Sequence, residues 1–333
     1  MSRVTIADVA REAEVSAMTV SRVVNNKGEI SPATRARVER AIERLGYRPN
    51  RLARALSLQA SQTLGMVVPD INNPFFSEIV RGAEDEAWER GYALIISSTV
   101  ENLEREARTL QLLEDHHVDG VLVCSPRLPD ETLFELLKGH RAALVLNRSA
   151  PEALAGSLQV DDTHGAMRAT HHLLGGGRRN VGMVAGPETS HSRKRRVAGY
   201  TTALETTGNE VVPSRIVSCV PDEMGGYEGA RALLRAHPEL DGLLCHNDLV
   251  AVGVLRALRE LGVRVPDDVA VVGCDDIRLA SLVTPSLTTL RVDKPALGRR
   301  AVRLLLERLG APPEEAPAPE AVKPELVVRE SAP

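Results

Sequence analysis

Apolar positions in the first fifty residues recur at helical spacing in three short bursts. Ile6, Val9, Ala10 and Ala13 form the first, and Thr5 with Asp8 ahead of them has the shape of a capping box. Val20, Val23 and Val24 line the inner face of the second, with Ser16 as its N-cap; Ala17, Met18, Ser21 and Arg22 fall on the opposite face. Val38, Ala41, Ile42 and Leu45 make the third, between the start signal Ser31-Pro32 and the stop signal Gly46. Three short helices with a turn of ~3–4 residues between the first two predict a helix-turn-helix unit, an all-α head.

From about residue 60 the pattern changes. Short apolar runs at 65–70, 93–99, 120–125, 142–147, 180–186, 242–248 and 269–276 alternate with amphipathic helical stretches such as 76–90 and 103–116. This repeated β-α order predicts parallel sheets covered on both faces, folded as two α/β lobes. The expected division is a head over 1–49, a linker over 50–60 and a body over 61–333. Lobe 1 is drawn over about 62–158 plus 290–320, and lobe 2 over about 162–288 plus 321–333. The stretch 311–324 is rich in Pro, Ala and Glu, and 325–329 is expected to return to a sheet. No apolar heptads follow it, so nothing in the pattern supports a C-terminal coiled coil.

A chain of 333 residues and 36.0 kDa has room for more than one buried core, which agrees with this division. No stretch approaches the ~20 uninterrupted apolar residues of a spanning helix, and charged residues interrupt the N-terminus where a signal peptide needs an apolar run. A cytoplasmic protein with no membrane partner is expected. Cys124, Cys219, Cys245 and Cys274 lie far apart, without metal-site spacing, and read as reduced core residues; neither a metal nor a cofactor is expected.

Charge adds a function class. The formal net charge is −4, yet residues 1–59 carry eleven Lys/Arg against six Asp/Glu, and the rest is acidic. A basic head on an acidic body directs attention to nucleic acid at one end. On the outer face of the second helix, the hydroxyls of Ser16, Thr19 and Ser21 suit phosphates, Ala17 and Met18 suit thymine methyls, and Arg22 can pair with guanine O6 and N7.

The run VTIADVAREAEVSAMTVSRVVNNKGEISPATRARVERAIERLGYRPNRLARALS resembles the headpiece of the lactose-repressor/galactose-repressor family of bacterial transcription factors, and the likeness continues more loosely to the C-terminus. The resemblance implies a double-stranded operator as partner and contacts from Thr5, Ser16, Ala17, Met18, Thr19, Ser21, Arg22 and Asn25. It also implies a hinge helix from Asn50 to Ser57, with Asn50 and Ala53 at the DNA and Leu56 wedged into the minor groove. The residues alone favour a plain linker helix, with Leu52 and Leu56 packed against the body. Glu14 stands where many members carry glycine, at little cost if the backbone there is not left-handed.

For the body the resemblance implies a periplasmic-binding-protein-like (class I) fold with a small-molecule cleft between the lobes. In open α/β sheets ligands sit beyond the C-terminal ends of strands, and the residues there are unusually polar: Asp70 with the Asn72-to-Phe76 turn, Asn147-Arg148, Asn247-Asp248 and Asp275-Asp276. Two of the eight aromatic residues, Phe75 and Phe76, sit side by side in one such exit, as ligand-facing rings or as helix anchors. The resemblance places Arg196, Asn247 and Asp275 on effector-contacting positions, and Ser192 and Asn147 complete the candidate set. Pro221 stands where several members have an aromatic wall.

These readings together predict an effector-controlled, homodimeric transcriptional repressor answering to a sugar or sugar acid. The alternative is a co-repressor-dependent regulator that answers to a purine or a sugar phosphate. An enzymatic role is not expected, because Gly175-Gly176-Gly177 precedes a strand and no phosphate-loop motif occurs.

Overall fold

The computed structural model describes residues 4–24, 29–47, 61–151, 153–310 and 320–333. The chain divides into two compact units, with the boundary between Gln62 and Thr63.

In the first unit, α1 (Ile6–Glu12), α2 (Ala17–Val24) and α3 (Pro32–Leu45) form as the spacing requires. Thr5 and Asp8 close a capping box: the Thr5 amide donates to Asp8 Oδ2 at 2.9 Å, and Thr5 Oγ1 accepts from the Asp8 amide at 3.4 Å. Ser16 Oγ accepts from the Thr19 amide at 3.1 Å and Ser31 Oγ from the Thr34 amide at 3.3 Å; Gly46 ends α3 in the left-handed region. Val9, Ala10, Ala13, Val20, Val23, Val38 and Ala41 form the core. One expectation needs correction. Glu14 has φ of +50°, so the turn between α1 and α2 is left-handed and the residue that stands in for glycine carries strain.

The second unit holds a parallel sheet of order β11-β5-β4-β3-β1-β2, built from Glu320–Val322, Gly156–Val160, Ala143–Leu146, Gly120–Cys124, Thr63–Val68 and Ala93–Ser98. A second parallel sheet has order β7-β6-β8-β9, from Ile216–Ser218, Val181–Ala185, Gly242–Cys245 and Ala270–Val272. An antiparallel ribbon joins β10 (Thr289–Arg291) to β12 (Glu325–Val327). Every apolar run expected as a strand is one, whereas β5, β7, β10 and β11 carry too short or too polar a pattern to stand out. Ala321 and Val322, expected in the second lobe, pair with Gln159 and Val160 of the first-lobe sheet.

Helix Pro74–Glu89 packs against helix Lys294–Gly310 over the first sheet, backbone nearly touching backbone. A Cβ built on Gly298 would fall 2.0 Å from the Ile79 carbonyl oxygen. Leu64, Met66, Ile79, Leu122, Leu144, Leu146 and Leu305 fill the core beneath this pair. In the second lobe, helices Asp162–Gly175 and His191–Thr206 cover one face and Glu223–Ala236 with Asp248–Glu260 the other. Parallel strands put their C-terminal ends on one edge of each sheet, and these edges meet at the cleft.

Candidate functional site

On the head, the outer face of α2 leaves Ala17, Met18 and Arg22 exposed, with Met18 at 65%. Met18 is thus no part of the head core. Ser16 and Thr19 are linked through their hydroxyls at 2.9 Å, and Ser21 is half-buried. Thr5 is exposed, but its hydroxyl donates to Asp8 Oδ2 at 2.7 Å, so it serves the cap first. Asn25, Asn50, Ala53 and Leu56 lie outside the described residues.

In the body, the strand exits converge on one narrow cleft. Asn73, Phe75, Phe76, Glu101, Ser125, Arg127 and Asn147 line it from the first lobe, and Ser190, Ser192, Arg196, Pro221, His246, Asn247 and Asp275 from the second. All seven body residues singled out by sequence therefore face one space.

The polar groups are mostly engaged already. Arg196 is buried; its Nε donates to Asp162 Oδ1 at 2.9 Å, its Nη1 to the His246 carbonyl, and its Nη2 lies 3.7 Å from Asp275 Oδ1. Arg195 Nη2 donates to Asp162 Oδ2 at 2.7 Å and to the Asn147 carbonyl at 3.0 Å, a bond from lobe to lobe. Burial pushes the Asp275 carboxyl up to about 7 against the opposing pull of Arg196 and Lys294. Deeper in, Asp248 accepts from Thr289 Oγ1 at 2.6 Å and the Ile277 amide at 2.9 Å, and burial raises it well above the carboxylate range. The basic run 193–196 lies in the first two turns of the helix His191–Thr206, which buries Arg196 and leaves Lys194 exposed.

Several strand-exit residues are structural caps. Asn73, Ser190 and Asn247 each take an amide of the following helix, Asn247 Oδ1 from Val250 at 2.8 Å, while Asn247 Nδ2 donates to the Pro221 carbonyl at 3.1 Å. Asn147 adopts φ of +60°, and its Nδ2 donates to Ser125 Oγ at 3.1 Å. Phe75 and Phe76 meet edge to face, ring centres 5.2 Å apart, and belong to the first-lobe core while also lining the cavity. Anchor and ligand-facing ring are thus compatible roles.

Sequence reasoning missed Glu101, Ser125, Arg127 and His246. Arg127 is buried and grips Glu101 with one edge of its guanidinium, Nε to Oε2 at 2.6 Å and Nη2 to Oε1 at 2.9 Å. The buried Glu106 fixes this loop by accepting the Arg127 amide at 2.9 Å. His246 follows a strand as Asn247 does, so the strand-exit rule could have found it. Nothing in the sequence signals the Glu101–Arg127 pair.

Comparison with known proteins matches residues 5–50 to the model for bacterial regulatory proteins of the lacI family, and residues 170–332 to a periplasmic binding protein-like domain. The chain is 34% identical to the HTH-type transcriptional regulator GalR of Salmonella typhimurium, across 98% of this chain and 95% of that protein. It is 36% identical to the ribose operon repressor of Halalkalibacterium halodurans, across 98% and 96%. Among solved structures, the lac repressor dimer bound to operator and the anti-inducer ONPF superposes with a TM-score of 0.88 at 28% identity, covering 99% of each chain.

Proposed function

The chain belongs to the lacI family of bacterial regulatory proteins, and on that premise we propose that it is a transcriptional repressor whose operator affinity is set by a sugar in the body cavity. The observation that carries the reading is the cleft itself, where two arginines, five carboxylates or amides from strand ends and two phenyl rings converge on one small space. Hydroxyl groups suit such donors and acceptors, and a ring face suits Phe75 or Phe76. Pro221 in place of an aromatic wall disfavours a stacked purine. Presence at chromosomal DNA makes the cytoplasm its site of action.

The repressor works as a homodimer, since a symmetric operator needs two heads. The edge strand β2 supports this, because Ile95 and Ile96 are each 40% exposed along an unpaired sheet edge. In each half-site α2 enters the major groove. Sugar that bridges the two lobes changes their arrangement, and by linkage must change operator affinity.

The test is selection of binding sites from random duplex DNA by the full chain. Recovery of a two-fold-symmetric sequence, bound with a steep salt dependence, is the expected result. Recovery of single asymmetric sites, or of no consensus, would remove the operator-binding dimer.

A further inference from the structure

We infer that His246, together with the Glu101–Arg127 ion pair, forms a charge-balanced specificity subsite that takes a hydroxyl of an uncharged sugar and turns away anionic counterparts. The inference rests on reading the cavity as the ligand site.

His246 is held where it is from several sides. Its amide donates to the Val184 carbonyl at 2.8 Å, and its own carbonyl accepts from Arg196. The ring lies over Gly186, where a Cβ would fall 2.5–2.7 Å from Nε2, Cδ2 and Cε1; only glycine leaves the ring its place. The residue is 5% exposed and lines the cavity, yet Nδ1 has no hydrogen-bond partner. A buried unpartnered nitrogen is a standing cost that a ligand group can remove. Burial and the charges of Arg196, Arg127 and Arg193 hold the imidazole well below its ordinary pKa, so the ring is neutral. A neutral imidazole donates from one nitrogen and accepts at the other, and a hydroxyl satisfies either.

The arginines explain the exclusion of anions. Arg127 spends Nε and Nη2 on Glu101 and donates Nη1 to the Ser125 carbonyl at 2.8 Å. The Nε and Nη1 of Arg196 are committed to Asp162 and the His246 carbonyl, with Asp275 beside Nη2. A carboxylate or phosphate that enters meets guanidinium groups already paired with carboxylates, Arg127 with Glu101 and Arg196 with Asp162, and brings a further negative charge beside them. Its reception calls for rearrangement of a charge-assisted pair, which a hydroxyl does not require.

The experiment is thermal shift and calorimetry on the full chain with D-galactose, D-glucose, D-ribose and cellobiose against galacturonate, glucose 6-phosphate and ribose 5-phosphate. At least one neutral sugar is expected to bind about tenfold more tightly than its anionic counterpart. His246→Leu is expected to weaken that sugar by about tenfold or more, and His246→Asn, which keeps a polar atom near Nδ1, to stay within about threefold of wild type. Glu101→Gln, which frees part of Arg127, is expected to improve anion binding. Tighter binding of the anionic counterpart, no response to any neutral sugar, or wild-type sugar affinity in His246→Leu would overturn the inference. Arg196→Ala separates it from the reading beneath. Sugar binding lost in Arg196→Ala but normal in His246→Leu overturns the subsite alone, and sugar binding intact in both overturns the cavity as the ligand site.

Discussion

Arg196 and Asp162 form a buried charge-assisted hydrogen bond, Nε to Oδ1 at 2.9 Å, and the second oxygen of the same carboxylate holds Arg195 at 2.7 Å. One aspartate therefore organises both the cavity arginine and the arginine that reaches across to the first lobe. The two partners are not equivalent. Loss of Asp162 leaves Arg196 with the His246 carbonyl and the Asp275 carboxyl at 3.7 Å, without a carboxylate in hydrogen-bond contact, but loss of Arg196 leaves Asp162 still paired with Arg195. Asp162→Ala is expected to cost about 3–5 kcal/mol of body stability and Arg196→Ala distinctly less. Urea unfolding of the two variants followed by circular dichroism checks the order, and equal losses would refute the division of roles.

Asp275 supplies a pH signature. Its folded-state pKa of about 7 stands above the ordinary aspartate value because burial penalises the carboxylate. Between about pH 4 and 7 the folded protein thus holds a proton that the unfolded chain has released, so stability falls as pH rises through that window and levels off above it. Asp248, raised in the same direction, contributes with the same sign. Asp275→Asn is expected to flatten part of this fall. Denaturation midpoints at pH 5, 6 and 7.5 in both proteins measure it, and parallel curves would count against a protonated Asp275.

The left-handed Glu14 yields a prediction about the head. Glycine loses nothing at φ of +50°, whereas a residue with a Cβ does. Glu14→Gly is expected to stabilise the head by about 1 kcal/mol. Amide exchange at Val9 and Val20, whose side chains sit in the head core, should slow in the variant; unchanged or faster exchange would contradict it.

Arg22 and Met18 separate base reading from general affinity. Arg22→Ala is expected to cost ~1–3 kcal/mol per base contact and relax preference at one base pair in each half-site, while non-specific binding changes little. Anisotropy titrations against the selected operator and its single-base variants read this. A uniform loss on all sequences would reduce Arg22 to a phosphate contact.

Much of this was legible because simple geometry was at work. The apolar runs that end at Val68, Cys124, Leu146 and Cys245 deliver their following residues to one edge of each sheet, which is why Asn147 and Asn247 could be read as cavity residues. Arg196 needed the family likeness, since composition cannot tell a buried arginine from its exposed neighbour Lys194. The Glu101–Arg127 pair was invisible for a different reason. It joins the exit of β2 to the exit of β3 through a turn in which Val100 and Glu101 both take positive φ without glycine, so no local signal marks it. Glu14 shows the same blindness, because a left-handed backbone at a glutamate cannot be read from residue type.

The central claim is that the cavity and the operator are coupled through Arg196. The most direct measurement is a reciprocal titration on the full chain with the selected operator and the neutral sugar that most raises the melting temperature. Sugar should change wild-type operator affinity by some factor, and operator should change sugar affinity by the same factor. Arg196→Ala should bind operator as wild type does and show no response to sugar. A variant that still responds fully, or a wild type whose operator affinity the bound sugar leaves unmoved, would contradict the account.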